Sequence, residues 1–134
     1  TMKIIYPILT AAALSVATMA AADPARQAIV DFYANAAGVT DFSAEGGKSL
    51  FETTQVGGQP DTNVCTACHG TNHTDTGRTR AGKTIEPMAV SANPARFTDL
   101  EKVEKWFRRN CDTVLGRQCT AHEKGNVIAY FSSL

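Results

Sequence analysis

No stretch of this 134-residue chain alternates apolar and polar side chains over the length of a strand, and no segment repeats. Those two absences exclude a β-sandwich or barrel and a solenoid of stacked repeats. Net charge is missing too, with 13 Lys and Arg against 13 Asp and Glu. So even a balance carries no electrostatic footprint for nucleic acid. Cysteine is scarce: only four are present, and each has to be accounted for.

The chain does carry a marked first segment. MKIIYPILTAAALSVATMAA has one lysine, an uninterrupted apolar run and small residues from Ala20 to Ala22, the pattern of a cleaved secretory signal. The expected division is a signal over 1–22 and one domain over 23–134, exported to the periplasm. A membrane span is the other reading of such a run, but no basic stop-transfer flank follows it.

Beyond that segment the charge is unevenly spread. Residues 23–77 carry two basic and seven acidic side chains, whereas residues 78–134 carry ten basic and six acidic. A basic face of this kind would steer an acidic redox partner, although a merely solvated surface fits the counts equally well.

Four helices are predicted. DPARQAIVDFYANAAG opens with Asp23 as cap and Pro24 in the first turn, and closes at Gly38. SAEGGKSLFET, from Ser43, is weakened by Gly46 and Gly47. TDLEKVEKWFRRNCDTVLG starts with a capping box of Thr98 and Glu101 and ends at Gly116, and TAHEKGNVIAYFSSL repeats the device with Thr120 and Glu123. Residues 70–97 form a polar loop too long to be idle in so small a domain, so something other than protein is expected to support it.

CTACH, Cys65 to His69, reads as a covalent c-type haem attachment. Two thiols separated by two residues on a helical turn can each add to one haem vinyl group, and the histidine that follows becomes the proximal iron ligand. The rival readings are a redox disulfide and half a zinc site. The adjoining histidine, the export signal and the lack of a second metal half oppose both. One haem c would also fill the thin core expected of a domain of about 112 residues with four short helices. With Cys65 and Cys68 consumed, Cys111 and Cys119 are left in an oxidising compartment, where a disulfide is the default.

Four residues compete for the opposite face of the iron. His73 is expected at the surface on the proximal side, and His122 as a solvated first-turn residue. Met88, a thioether on a Pro-flanked loop, is either the sixth ligand of an electron-transfer cytochrome or an apolar side chain packing near the haem edge. Asn110 is favoured by helix geometry. Counting about 100° per residue from Leu100, Phe107, Val114, Val103, Asn110 and Trp106 fall between about 340° and 240°, opposite the charged residues. An amide buried in that stripe without a partner would cost on the order of 1 to 3 kcal/mol, so it needs one. A loop carbonyl or a haem propionate would serve as well as the iron. Trp106 and Phe107 are read as haem packing or plain core, and Arg108 and Arg109 point to the outer face.

CTACHG, the downstream GKTIEPMAVSANPARFTD, and VEKWFRRNCDTVLGRQCT followed by EK together resemble the sphaeroides haem protein family of small periplasmic c-type cytochromes. The resemblance spans nearly all of the chain beyond residue 22, and the Asn-Cys pair with its second cysteine is its specific part. It implies an all-α, class I-like cytochrome c fold with about four helices around one haem. It also implies His69 as proximal ligand, Asn110 as distal ligand of the oxidised iron, and a disulfide between Cys111 and Cys119. A dihaem cytochrome c and a membrane cytochrome b are the implied electron donors. Related cytochromes carry histidine at the position of Asn110 and are low-spin when oxidised, so this chain resembles the ligand-switching branch. Met88 departs from the family, which usually has leucine there, and leaves an alternative distal ligand open.

An amide oxygen is a hard, neutral, weak donor, suited to ferric iron and poorly held by ferrous iron. Reduction is therefore expected to release Asn110 and admit O2, NO or CO, with oxygen- or nitric-oxide-linked activity once electrons are supplied. The alternative is a simple electron carrier with His69 and Met88 on the iron. A gas sensor is a third idea, weakened by the lack of an output domain.

Overall fold

The computed structural model describes residues 1–2 and 21–134. Residues 3–20, nearly all of the expected signal segment, lie outside the described residues.

The first helix forms as its sequence suggests. Asp23 accepts from the backbone of Ala25 and Arg26, α1 runs Pro24–Ala37, and Gly38 ends it at φ 67°. Ser43 Oγ accepts from Gly46 N at 2.9 Å and starts α2, Ala44–Glu52. The CTACH segment supplies a single helical turn, α3, Thr66–His69. A two-stranded antiparallel ribbon follows, β1 Gly77–Arg78 and β2 Thr84–Ile85, with Gly77 opposite Ile85. Then come α4, Leu100–Leu115, and α5, Ala121–Ser132, which opens with the expected capping box of Thr120 and Glu123.

Three local expectations are corrected. The described residues hold five helices and a ribbon where four helices and no strands were expected. The additions are a four-residue turn and two-residue strands, too short to show a period. The cap of α4 is Asp99, which accepts from Lys102 N at 3.1 Å, while the hydroxyl of Thr98 donates to the Ala95 carbonyl at 2.7 Å. Gly46 and Gly47 do more than weaken α2. A methyl group on Gly47 would lie 2.0 Å from the Asn126 carbonyl oxygen, so this glycine lets α2 and α5 cross backbone to backbone. Asn126 Oδ1 secures the crossing by accepting from Ser43 N at 2.8 Å.

Helix α5 is the centre of the molecule, packed against α2 and α1. Its Ile128 and Phe131, with Tyr33 of α1, are the most completely buried large side chains, and Phe51, Phe97 and Val103 join them. No described helix is long and apolar enough to cross a membrane.

The long loop is tied to the rest of the protein by hydrogen bonds at several points. Arg26, 9 % exposed on α1, donates from Nε to the Arg96 carbonyl at 3.0 Å and from Nη2 to the Pro94 carbonyl at 2.6 Å. Arg96 in turn donates to the carbonyls of Pro87, at 2.9 Å, and Glu86. Backbone bonds from Ala89 to His73 and from Val90 to Phe131 fasten the middle of the loop to the core. Two guanidinium groups thus satisfy the carbonyls that a strandless segment leaves free.

Candidate functional site

Cys65 and Cys68 stand three positions apart at the α3 turn, both half-buried and both free, while Cys111 and Cys119 are joined in a disulfide. Burial pushes the Cys65 thiol up to about 11. His69 closes the turn, half-buried, with its ring 5.3 Å from that of Phe51. Burial, assisted by the positive charge of Arg96 and by His73, pulls its imidazole down to about 4. A neutral ring keeps a lone pair free for a metal at neutral pH. Its Nδ1 is buried with no hydrogen-bond partner in the protein.

The turn is braced from both sides. A methyl group on Gly77 would lie 2.4 Å from the Cys68 carbonyl oxygen and 2.9 Å from the His69 Cα, so β1 rests directly on the back of α3. Leading into it, Gly58 approaches the Val114 carbonyl closely, and Gln59 N donates to the Thr113 carbonyl at 2.9 Å. The segment before CTACH is thereby laid along the end of α4.

Phe107 of α4 and Cys65 of the turn share apolar surroundings. Cys65, Phe107 and Leu50 are half-buried and pack against two apolar clusters at once, the main core and the group around Cys111, Val114, Leu115 and Cys119. Met88 packs against the main core in the same way, which places it in one apolar neighbourhood with Cys65 and Phe107. Tyr33 fixes Phe107 edge-on at 6.2 Å between centroids.

Asn110 is exposed, not buried in the stripe that was counted for it. The buried residues of α4 are Val103, Cys111, Val114 and Leu115, an arc from about 300° through 0° to about 60° on the same count. Disulfide-bonded Cys111 shifts the buried arc away from Asn110 and Trp106, which sit on its open edge. Trp106 is 50 % exposed, with Lys105 Nζ and the Arg109 guanidinium 5.5 and 5.7 Å from its ring centre. Arg108 and Arg109 are exposed, as expected, and so is His122, whose ring lies 6.0 Å from that of Phe42.

His73 is a correction in the opposite sense. It is 6 % exposed, its ring edge-on to Phe51, Tyr130 and Phe131, with Nε2 3.4 Å from Glu52 Oε1. The same carboxylate accepts from the Tyr130 hydroxyl at 2.9 Å, and chiefly that bond holds it below the usual carboxylate range. Aromatic neighbours from distant parts of the chain bury His73, and nothing within four residues of it signals that. Phe51, Gly77 and Arg96 also shape the site and were missed. An isolated glycine just after the attachment turn was the one local hint among them.

Two unbridged thiols on one turn, an adjoining neutral imidazole and apolar walls from Phe51, Met88 and Phe107 are a donor set that fits a covalently attached haem. Among the described residues no three His, Cys, Asp or Glu side chains cluster as a protein-only metal site would require. A mostly helical fold built around this turn defines a small c-type cytochrome.

Comparison with known proteins specifies the class further. The chain is 48 % identical over 113 residues to cytochrome c-type protein SHP of Cereibacter sphaeroides, covering 84 % of this chain and 87 % of that one. It superposes on the structure of oxidized SHP, described as an oxygen-binding cytochrome c, with a TM-score of 0.77, covering 81 % of this chain and 96 % of the other. Oxidized cytochrome c'' of Methylophilus methylotrophus, at 32 % identity, superposes with a TM-score of 0.67 over 81 % of this chain and 94 % of the other. Residues 37–131 match the family described as "Domain of unknown function (DUF1924)". The chain belongs to the SHP family of c-type cytochromes.

Proposed function

We propose that this chain is a periplasmic haem c protein that keeps its iron covered by Asn110 when oxidised and admits O2, NO or CO when reduced. The haem supplies a redox-active iron with one face left for protein or a small ligand. Cys65 and Cys68 anchor it as thioethers, and His69, held neutral by burial, is the proximal donor. Asn110 offers a neutral amide oxygen that suits ferric iron and is released on reduction. Trp106 and Phe107 flank the amide on the same helix, and Phe107 packs against the same buried cluster as Cys65.

The observation that carries this reading is the place of Asn110. It is an exposed amide one turn from Phe107, which packs against the same buried clusters as Cys65. The similarity to SHP, whose solved structure is described as oxygen-binding, supports the same reading.

Met88 favours a second reading. It is half-buried in the neighbourhood of Cys65, on a loop fastened by Arg96, as a His69 and Met88 electron carrier would need. Absorption spectra of the oxidised and reduced protein, with and without carbon monoxide, decide between the two. The first expects a high-spin reduced form that takes up carbon monoxide, and an oxidised spectrum altered by Asn110→Ala but not by Met88→Leu. A low-spin reduced form indifferent to carbon monoxide and lost in Met88→Leu would establish the second.

The electron donors that suit this reading are a dihaem cytochrome c and a membrane cytochrome b, docking through the basic second half of the chain. Export with removal of residues 1–22, leaving 23–134 as the haem domain, completes it.

A further inference from the structure

The ribbon after the attachment turn does nothing for the core. Between Gly77 and Ile85 the exposed side chains include Arg78, Arg80 and Lys83, with no acidic residue among them. Only Ile85 turns an apolar side chain partly inward, and a lone two-stranded hairpin has little stability of its own. The ribbon is nevertheless firmly built. Thr79 and Lys83 exchange backbone and side-chain bonds across its tip, and the Arg78 guanidinium donates to the Gly82 carbonyl at 3.0 Å. Its base rests on the Cys68 carbonyl through Gly77. Three cations are therefore held in a fixed group beside the turn that carries Cys65, Cys68 and His69.

Their neighbours neutralise them only in part: Glu86, exposed just after the ribbon, acts on the Arg96 guanidinium. Arg80 lies 3.4 Å from Asp61, but both side chains are largely exposed, and a pair of that kind holds weakly. Asp75, the acidic residue just before the ribbon, is engaged by the Asn72 side chain at 2.9 Å.

We infer that this ribbon is the docking surface for the acidic face of a protein electron donor. The inference rests on the reading of the chain as a haem c protein and adds where its donor binds. A second cationic group, Lys105 and Arg109 around Trp106, lies beside Asn110 and belongs to the face where the small ligand enters. An anionic bilayer is the less suitable occupant, because polybasic membrane sites gather about four to eight cations.

Flavodoxin, a small acidic flavoprotein, serves as the probe. Its anionic hydroquinone gives one electron to the oxidised haem and becomes the neutral semiquinone, with no proton released. Two readouts are taken on the haem-loaded protein: amide shifts on adding oxidised flavodoxin, and the rate of reduction by flavodoxin hydroquinone at low and high salt. The expected result is shifts concentrated in residues 77–85. The variant Arg78→Gln, Arg80→Gln, Lys83→Gln should be reduced about tenfold more slowly at low salt, the gap closing at high salt. Reduction by the small neutral donor lumiflavin semiquinone, which returns to lumiflavin with loss of one electron and one proton, should be unchanged in that variant.

The control Lys48→Gln, Lys102→Gln, Arg108→Gln removes three exposed cations from α2 and α4. An equal loss in the control would show that net charge alone matters and overturn the proposal. Absence of shifts in the ribbon would overturn it too, as would loss of binding to phosphatidylserine vesicles with the flavodoxin rate intact. Failure of the haem reading itself would appear separately, as a purified protein without a covalently bound chromophore.

Discussion

The ring of Phe51, on α2, lies 5.3 Å from the ring of His69 and at the same time 4.7 Å edge-on from Phe131 at the centre of the core. One side chain therefore joins His69 to the most buried part of the fold. Phe51→Ala should lower the unfolding free energy by about 3–5 kcal/mol, as expected for a phenylalanine removed from a packed interior. Denaturant titration measures the loss, and a change below about 1 kcal/mol would mean that the cavity closes without disturbing His69.

Gly77 and the Cys68 carbonyl offer a sharper test of the attachment turn. A methyl group there would sit 2.4 Å from that oxygen, a distance that backbone must relieve by moving. Gly77→Ala is expected to displace either β1 or α3, lowering the fraction of chains that acquire covalent haem and the melting temperature of those that do. Absorbance per mole of purified protein reads the first and thermal melts the second. Gly82→Ala is the comparison: its Cβ would meet nothing within 4 Å, and although its φ of 82° makes it strained, the strain falls at the ribbon tip.

Tyr33, Glu104 and Lys124 join α1, α4 and α5, and their titration has a definite sign. The Tyr33 hydroxyl donates to Glu104, whose carboxylate also accepts from Lys124 Nζ at 3.1 and 3.2 Å. Burial opposes ionisation of Glu104, but the bonds from Tyr33 and Lys124 outweigh it and hold its pKa below the ordinary 4.5. The unfolded chain therefore binds this proton first, and the stability due to Glu104 is complete above about pH 4.5 and lost as pH falls through the lower folded value. Tyr33 acts at the other end. Burial and the Glu104 carboxylate push its pKa well above 10, so the unfolded chain loses that proton first and stability falls as pH rises past about 10. Glu104→Gln should flatten the acid limb of a stability-against-pH curve and weaken the alkaline one. An unchanged acid limb would remove Glu104 from the account.

The parts of this architecture that were legible in the sequence are those set within a few residues. Asp23, Ser43 and Thr120 cap the helices they were expected to cap, and CTACH and the Cys111 and Cys119 pair are local patterns with few competitors. Thr98 and Asp99 are both good caps one register apart, and only the packing of α4 chooses between them. Gly47 reads as a weakness until Asn126 of α5 is set against it. The burial of His73 depends on Glu52 and Tyr130, and the bonds of Arg26 reach carbonyls about 70 residues away, a separation over which no periodicity carries information. Asn110 was expected inside the buried stripe of α4, and the structure leaves it exposed on the edge of that stripe. Cys111, ignored in the apolar stripe, draws the buried face toward itself.

The disulfide from Cys111 to Cys119 bears on the proposed switch as well as on the fold. Cys111 directly follows Asn110 on α4, and Cys119 directly precedes Thr120, the cap of α5. Both cysteines are buried in one cluster with Val114 and Leu115, so the bridge fixes the last turn of α4 to the start of α5. Closing so short a loop restricts the unfolded chain and is worth about 2–4 kcal/mol, which Cys111→Ser with Cys119→Ser should forfeit in a denaturant titration. The stability loss alone would mark an ordinary crosslink. If Asn110 leaves the iron by a movement of this helix end, the double variant should also change the oxidised spectrum and speed carbon monoxide uptake after reduction, because the end of α4 is freer to move. If both are unchanged while stability falls, then Asn110 leaves by side-chain rotation alone and the bridge plays no part in the switch.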